Sequence, residues 1–179
     1  MIKNIIQPES ELEFIIISNP EFIKGANWGK PRDGHPEGKV ILHIRDVLLN
    51  VDKFSNQHNR SDLRIIAMVH DTFKYKVDLT KPKKGSNHHA YLARKFTEQY
   101  IDDQSALQII ELHDEAFNSW YKGFRTNNWQ AAEERAKKLI DNLDDLELYL
   151  TFYKCDNQVE GKQRENYNWF VELVKQNSK

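Results

Sequence analysis

Apolar residues recur along most of the chain at spacings of three and four, which is the period of an amphipathic α-helix. The clearest apolar stripe begins at Val40 and ends at Phe54, and it predicts a helix of about four turns. Ser61 is the expected N-cap of a second helix, whose inner face extends from Leu63 to His70. A weaker pattern over residues 9–18 predicts another helix before these two.

The helical pattern continues through the second half of the chain. Asn87 is the expected cap of a third helix, and Asp102 or Asp103 is the expected cap of a fourth. A long fifth helix is predicted from residue 132 to about residue 159, and a last helix at about 162–177.

Most glycines and prolines fall in two short stretches, residues 25–38 and 82–85, and they interrupt the helical pattern there. The sequence shows no internal repeat, no low-complexity tract and no alternation of strands with helices. We therefore predict an all-α fold, with one helical domain over residues 1–179.

Composition narrows the class of protein further. The chain is 39% hydrophobic and 30% charged, which is typical of a globular domain rather than a disordered one. Lysine and arginine number 26 against 27 acidic residues, so no global charge attracts nucleic acid or an anionic membrane, and we expect stable binding to neither. The single cysteine excludes an intramolecular disulfide framework and a multi-cysteine zinc site.

The N-terminal residues and the length of the apolar segments indicate where in the cell the protein is found. Residues 1–13 contain three glutamates and lack the apolar core of a signal peptide. No segment reaches the apolar length that a membrane span needs. We expect a cytoplasmic protein.

Several ionisable residues lie where a helix face should be apolar. His43 lies on the inner stripe of the first long helix, His70 continues the inner face of the second, and Asp156 lies on a largely inward face near the end of the fifth. Burial of such groups is costly unless they are paired, and binding a cation satisfies them. A single inward histidine is more often a hydrogen-bonded core residue, but the combination favours a metal site.

The His70-Asp71 dipeptide adds a geometric condition. Neighbouring residues on a helix point about 100° apart, so both can bind one metal only beside a turn or a helix end. The apolar run from Leu63 to Val69 stops at this dipeptide, which meets the condition. Imidazole and carboxylate ligands suit Mn, Fe, Ni, Co or Mg.

These residues resemble the HD-domain superfamily of metal-dependent phosphohydrolases. The resemblance is carried by HPEGKVILH, which ends at His43, by MVHDTFK around His70-Asp71, and by YKCDN around Asp156. It covers about residues 28–160. It implies a divalent metal held between core helices by His43, His70, Asp71 and Asp156, and a reaction in which metal-activated water cleaves a phosphate ester or anhydride.

Some members of the superfamily bind a second metal, so one or two ions are expected. This chain offers His88, His89 and His113 in the right order. The family's spacing of a histidine before Ala93 favours His88, whereas helical periodicity places His89 on the buried face, and we prefer His88 slightly. The His113-Asp114 pair departs from the residues often found at that position.

Further candidates surround these ligands. Lys74 corresponds to a position where relatives often carry a phosphate-contacting lysine, and we assign it, with Asp71 and Glu37, to catalysis. Substrate binding is assigned to Lys74 and to three other basic residues, namely Arg32, Lys83 and Lys84. For Lys83 and Lys84 the alternative is that they belong to a solvated loop.

Some residues keep two interpretations. Trp120, Tyr121 and Trp129 are more often packing residues than a base-stacking wall. His35 is either a neighbour of a metal ligand or a loop residue. Cys155 is expected to fill space in a helix.

The predicted function is hydrolysis of a phosphate ester or anhydride, in a nucleotide or a related small phosphorylated molecule. The resemblance leaves two alternatives, a di-iron oxygenase of the HD fold and a non-catalytic module that binds a metal or a nucleotide. The aromatic C-terminal helix either closes the core or forms a homodimer interface.

Overall fold

The structure is a computed structural model, and it describes residues 2–31 and 38–177. Within these ranges the chain forms α-helices and two short 3-10 helices and contains no strand, so the all-α prediction is confirmed. The 3-10 helices are Thr72–Lys76 and Gly85–Asn87. The α-helices are α1 (Ile2–Ile6), α2 (Glu11–Ser18), α3 (Pro20–Ala26), α4 (Val40–Phe54), α5 (Arg60–Val69), α6 (His89–Thr97), α7 (Gln104–Leu112), α8 (Glu115–Thr126), α9 (Trp129–Asn142), α10 (Leu146–Asn157) and α11 (Glu165–Asn177).

Helices α4 and α5 form the centre of the core. Helix α4 has the bounds that its apolar stripe predicts, and it packs against both α5 and α10. Helix α5 packs in addition against α7, and its residues from Leu63 to Val69 are all buried. Each large apolar side chain that is fully buried in this way stabilises the fold by about 1.5–3 kcal/mol. The apolar packing of the core helices therefore fixes the positions of their inward polar side chains.

The helix N-termini differ in part from those predicted. Helix α5 begins at Arg60, with Asn59 rather than Ser61 at the cap. Helix α6 is capped by His88, while Asn87 accepts the backbone N–H of Asp78 and so fixes the preceding loop. The cap of α7 is Asp103, one of the two predicted residues, and its carboxylate accepts the backbone N–H of Ala106.

The prediction of one long fifth helix is wrong. Helices α9 and α10 are separate, because the backbone of Leu143 is extended and Asp145 caps a new helix through the backbone N–H of Leu148. The leucines on both sides continue a helical spacing, and this periodicity hides the break. As a separate element, α10 packs against α4 and α5 and brings Asp156 beside His43.

Three helices lie where the sequence predicts none, namely α1, α3 and α8. Helix α8 buries Ala116, Ser119, Trp120 and Gly123 on its inner face, and its other aromatic residues follow a helical spacing but remain exposed. A Cβ atom on Gly123 would lie 2.6 Å from the ring of Trp129, so this glycine lets α8 and α9 pack closely. Among the described helices, none is long and apolar enough to cross a bilayer.

Helix α3 supports the backbone that follows the His70-Asp71 dipeptide. The α-carbon of Gly25 packs directly against the backbone of Thr72, and a Cβ atom at Gly25 would lie 1.9 Å from the Thr72 carbonyl oxygen. A backbone atom in a buried turn cannot move aside as a flexible side chain can.

We therefore expect Gly25→Ala to lower the free energy of unfolding by about 3 kcal/mol, because α3 must separate from the 3-10 helix. Chemical denaturation measures this effect. The neighbouring exposed substitution Lys24→Ala serves as the control, with an expected change below about 1 kcal/mol. Equal effects of the two substitutions would show that this close packing does not matter.

Candidate metal centre

The His70-Asp71 dipeptide lies where α5 ends and the first 3-10 helix begins. His70 is the C-cap of α5, and Asp71 precedes Thr72–Lys76. The Thr72 hydroxyl donates to the Met68 carbonyl at 2.7 Å and fixes this turn. The change of helix type lets two consecutive side chains point into the same space, which binding of one metal by a dipeptide requires.

A first group of donor atoms joins three helix segments. His43 Nε2 lies 2.9 Å from Asp156 Oδ1 and 3.3 Å from His70 Nε2. His70 Nε2 lies 3.8 Å from the same oxygen of Asp156. Both histidines are buried, while the side chain of Asp156 is 17% exposed to solvent. We call His43, His70 and Asp156 the first donor set.

A second group lies on the other side of Asp71. His89 Nε2 and His113 Nε2 are 3.2 Å apart, and they lie 3.4 and 3.5 Å from Asp71 Oδ1. All three residues are buried. We call Asp71, His89 and His113 the second donor set.

The two oxygens of Asp71 face different donor sets. Oδ1 faces His89 and His113, whereas Oδ2 lies 3.8 Å from both His43 Nε2 and His70 Nε2. One carboxylate therefore reaches both groups of imidazoles. A carboxylate in this position would be able to contribute one oxygen to an ion in each donor set.

The spacing of the donor atoms fits a divalent ion. Ligand atoms at about 2.0–2.2 Å from one ion lie roughly 2.9–3.6 Å from each other in octahedral or tetrahedral coordination. The distances of 2.9 and 3.3 Å from His43, and of 3.2 to 3.5 Å in the second donor set, fall in this range, and the 3.8 Å from His70 Nε2 to Asp156 Oδ1 is slightly longer. Buried nitrogen and oxygen donors with such spacing suit Mn, Fe, Ni, Co or Mg.

The ring hydrogen bonds set the tautomers of two histidines in the same way. His70 Nδ1 donates to the Ala67 carbonyl at 2.9 Å, and His113 Nδ1 donates to the Ile110 carbonyl at 2.8 Å. In the neutral ring, Nε2 then carries a lone pair that points into the centre. Such a bond from the remote nitrogen also orients a metal-binding ring.

The geometry favours His89 over His88, against the preference drawn from the family spacing. His88 caps α6 by accepting the backbone N–H of Ala90 at its Nδ1 atom. The neutral ring of His88 therefore carries its proton on Nε2, which lies 3.9 Å from Asp114 Oδ2. A protonated nitrogen has no lone pair for a metal. The buried position of His89, which helical periodicity predicts, is confirmed, although His88 also forms a possible metal-binding group with His89 and Asp114.

The electrostatics of the centre keep its carboxylates charged. Burial alone would raise the pKa of Asp71, but the ammonium group of Lys74 and the neighbouring imidazoles hold it well below its usual range. Burial would also raise the pKa of Asp156, but Lys162 and His43 outweigh this effect and hold that pKa well below its usual range. Both groups therefore offer negative charge at neutral pH.

Two histidines titrate very differently before any metal binds. Burial lowers the pKa of His70 to about 3, although Asp71 and Asp156 oppose this effect. Burial also disfavours the charged form of His113, but Asp114 and Asp71 outweigh it and raise the pKa to about 9. A proton on His113 therefore balances part of the negative charge of Asp71 and Asp114.

The other predicted residues divide into three groups. Lys74 Nζ donates to Asp71 Oδ2 and lies at the centre. Lys83 and Lys84 are exposed, on a loop whose residues do not line the cavity beside the centre. The remaining candidates lie outside the described residues, namely Arg32, His35 and Glu37.

A cavity of about 370 Å³ opens onto the centre. Lys74 and Lys162 line it beside the carboxylates, and Phe117 and Trp120 of α8 contribute an aromatic wall. Its remaining lining comes from His70, Asp71, His113, Asp114, Tyr153, Asp156, Asn157, Gly161, Gln163 and Asn166. Its volume is within the range of small-molecule sites.

Sequence reasoning missed Asp114 and Lys162 as residues of this centre. Asp114 Oδ2 lies 3.3 Å from His89 Nε2, and Asp114 Oδ1 lies 3.5 Å from His113 Nε2. The available signal was that His113-Asp114 repeats the His70-Asp71 dipeptide at another helix end. Lys162 follows the break after α10, and nothing in the local sequence marks it.

The comparisons with known proteins agree with this geometry. The family model of the HD domain matches residues 39–147, more than half of the chain, and the chain belongs to the HD-domain family. HD domains bind divalent metals, and the family is typical of metal-dependent phosphohydrolases. No curated protein and no solved structure matches the chain.

The position of Asp71 between the donor sets predicts an asymmetry between two substitutions. Asp71→Asn should weaken metal binding at both sets by about a hundredfold or more, whereas Asp156→Asn should weaken the first set alone. Equilibrium dialysis with Mn²⁺, followed by elemental analysis, gives the metal content of each variant. If Asp156→Asn and Asp71→Asn lost the same amount of metal, the bridging position of Asp71 would be refuted.

The raised pKa of His113 predicts that metal binding to the second donor set depends on pH. The metal must displace the proton that His113 carries below about pH 9, so affinity should increase about tenfold per pH unit between about pH 6 and 8. Calorimetric titration with Mn²⁺ at several pH values measures this slope.

Two variants serve as references for this slope. His113→Gln should remove the steep part of the pH dependence, and the exposed His58→Gln should retain it. A slope that is the same in all three proteins would contradict the assignment.

Proposed function

We propose that the protein is a metal-dependent phosphohydrolase that cleaves a phosphate ester or anhydride of a nucleotide or a related small phosphorylated molecule. The observation that carries this proposal is the carboxylate of Asp71, whose two oxygens face two separate sets of buried imidazoles. A divalent ion held by these residues would supply a Lewis acid and an activated water.

The residues of the chain have distinct roles in this proposal. His43, His70 and Asp156 would hold one ion, His89 and His113 would hold a second, and Asp71 would contribute a ligand atom to each. The tautomers of His70 and His113 are set by backbone carbonyls, so these rings need no rearrangement to bind. Preorganised ligands of this kind lower the cost of assembling the transition state.

Lys74 supports hydrolysis of a phosphate in particular. Burial would lower its pKa, but Asp71 and Asp114 outweigh this effect and raise it, so the side chain is charged at neutral pH. Its ammonium group donates to Asp71, and both residues line the cavity. Developing negative charge on a phosphate oxygen is stabilised by a fixed cation in such a position.

The aromatic wall supports a nucleotide as the organic part of the substrate. Phe117 is 40% exposed, and its ring is held by a stacked contact with Tyr121, with ring centres 5.7 Å apart. Trp120 is buried and stacks on Phe124 in the same way, at 5.0 Å. Rings fixed before binding offer a flat apolar surface at low entropic cost.

A phosphate-release screen tests the proposed reaction. The purified protein is expected to release phosphate from at least one nucleoside phosphate, cyclic nucleotide or dinucleotide, with Mn, Ni, Co, Mg or Fe present. Asp71→Ala should lower this rate by about a thousandfold or more, because both donor sets lose their shared ligand. The exposed Asp141→Ala on α9 is the matched control and should keep the wild-type rate.

The other results of the screen separate the alternatives. Metal binding without phosphate release, but with oxygen consumption on a polyol or an organophosphonate, would replace the proposal by a di-iron oxygenase. Metal binding without any turnover would leave a binding module. Equal rates of phosphate release in Asp71→Ala and Asp141→Ala would show that the metal centre takes no part in the reaction.

The aromatic wall makes a separate prediction about substrate binding. Phe117→Ala should raise KM for a nucleotide about tenfold and change kcat little, because the ring contacts the base and not the reacting phosphate. Phe14→Ala is the control, since Phe14 is similarly exposed on α2 and does not line the cavity. If Phe117→Ala instead lowered kcat about tenfold and left KM unchanged, Phe117 would have a structural role.

A further inference from the structure

Lys162 occupies a position that neither the sequence motifs nor the family match explains. It lies in the short connection between α10 and α11, after the end of the matched residues 39–147. Its Nζ atom donates to Asp156 Oδ1 at 2.6 Å, and its side chain is only 18% exposed. It also lines the cavity that opens onto the centre.

The acceptor of Lys162 is the same oxygen atom that faces the first donor set. Asp156 Oδ1 lies 2.9 Å from His43 Nε2 and 3.8 Å from His70 Nε2. A metal ion bound by these two imidazoles would therefore share this oxygen with the ammonium group. Two cations on one carboxylate oxygen repel each other, so they compete for it.

Lys74 stands in the same relation to Asp71. Its ammonium group donates to Asp71 Oδ2, the oxygen that faces His43 and His70. Each carboxylate around the first donor set thus has a lysine on its cavity side. When metal neutralises these carboxylates, both ammonium groups are left facing the cavity with a weakened partner. The substrate is the species that enters this space.

We propose that Lys162 is a second phosphate-binding residue, which neutralises Asp156 in the metal-free centre and binds a substrate phosphate oxygen once the metal is bound. Together with Lys74 it would hold the phosphate from two sides. The inference rests on the proposed function in one respect, that the substrate carries a phosphate group. It adds a direct exchange of partners between metal, lysine and phosphate.

Two binding constants measured by calorimetry test the exchange. The full chain, freed of metal by a chelator, is titrated with Mn²⁺ and then, in the Mn²⁺-loaded state, with inorganic phosphate. Lys162→Gln should lower the dissociation constant for Mn²⁺ about three- to tenfold, because a competing cation is removed. It should raise the dissociation constant for phosphate about tenfold or more, because a charge-assisted hydrogen bond is lost.

Two further variants serve as references. Lys175→Gln removes a lysine that is paired with Glu172 on the exposed surface of α11, and it should leave both constants unchanged. Lys162→Arg keeps the charge and should bind phosphate within about threefold of the wild-type value. Thermal unfolding of each variant shows that the fold is retained.

The outcomes separate this inference from the proposed function. Weaker Mn²⁺ binding in Lys162→Gln would show that Lys162 only supports Asp156, and it would overturn the inference. The same follows if Lys162→Gln and Lys175→Gln give equal constants while wild-type protein still binds Mn²⁺ and releases phosphate from a nucleotide. Absence of Mn²⁺ binding to the wild-type protein would overturn the inference and the proposed function together.

Discussion

The carboxylate of Asp71 is the group on which the arrangement of the centre depends. A buried carboxylate costs several kcal/mol unless charges or hydrogen bonds compensate it. Here four imidazoles and the Lys74 ammonium group surround it. For these partners to meet, α5 must end at Val69, and the 3-10 helix must turn the next residues inward. The contact of Gly25 with Thr72 holds that turn in place.

The repeated helix ending accounts for much of the second donor set. Helices α5 and α7 both end in a histidine whose Nδ1 atom donates to the carbonyl three residues earlier. Each histidine is followed by an aspartate that starts the next helical element. Because the two helices pack against each other, the two endings lie together. The same helix ending, a histidine followed by an aspartate, thus contributes donor atoms to both donor sets.

Sequence patterns predict this structure where burial is continuous and fail where it is not. The stripe of α4 and the inward positions of His43 and His70 follow from helical spacing alone. The aromatic residues of α8 also follow a helical spacing, but most of them remain exposed, and α9 and α10 share a spacing that conceals their break. Lys162 lies only six residues after Asp156, but the turn between them has no helical spacing, so periodicity does not identify the contact.

The residues that the family model matches contain most of the donor atoms, whereas part of the cavity lining lies beyond them. The residues matched by the HD-domain family include every histidine of the two donor sets, but they end at residue 147. Asp156, Lys162 and Asn166 lie beyond that limit, on α10, the connection and α11, and they form one side of the cavity. Membership of the family therefore supports metal binding directly. In the proposed function, the choice among phosphorylated molecules would fall to the part of the cavity where α10 and α11 face the aromatic wall of α8, since that surface would contact the part of the substrate that does not react.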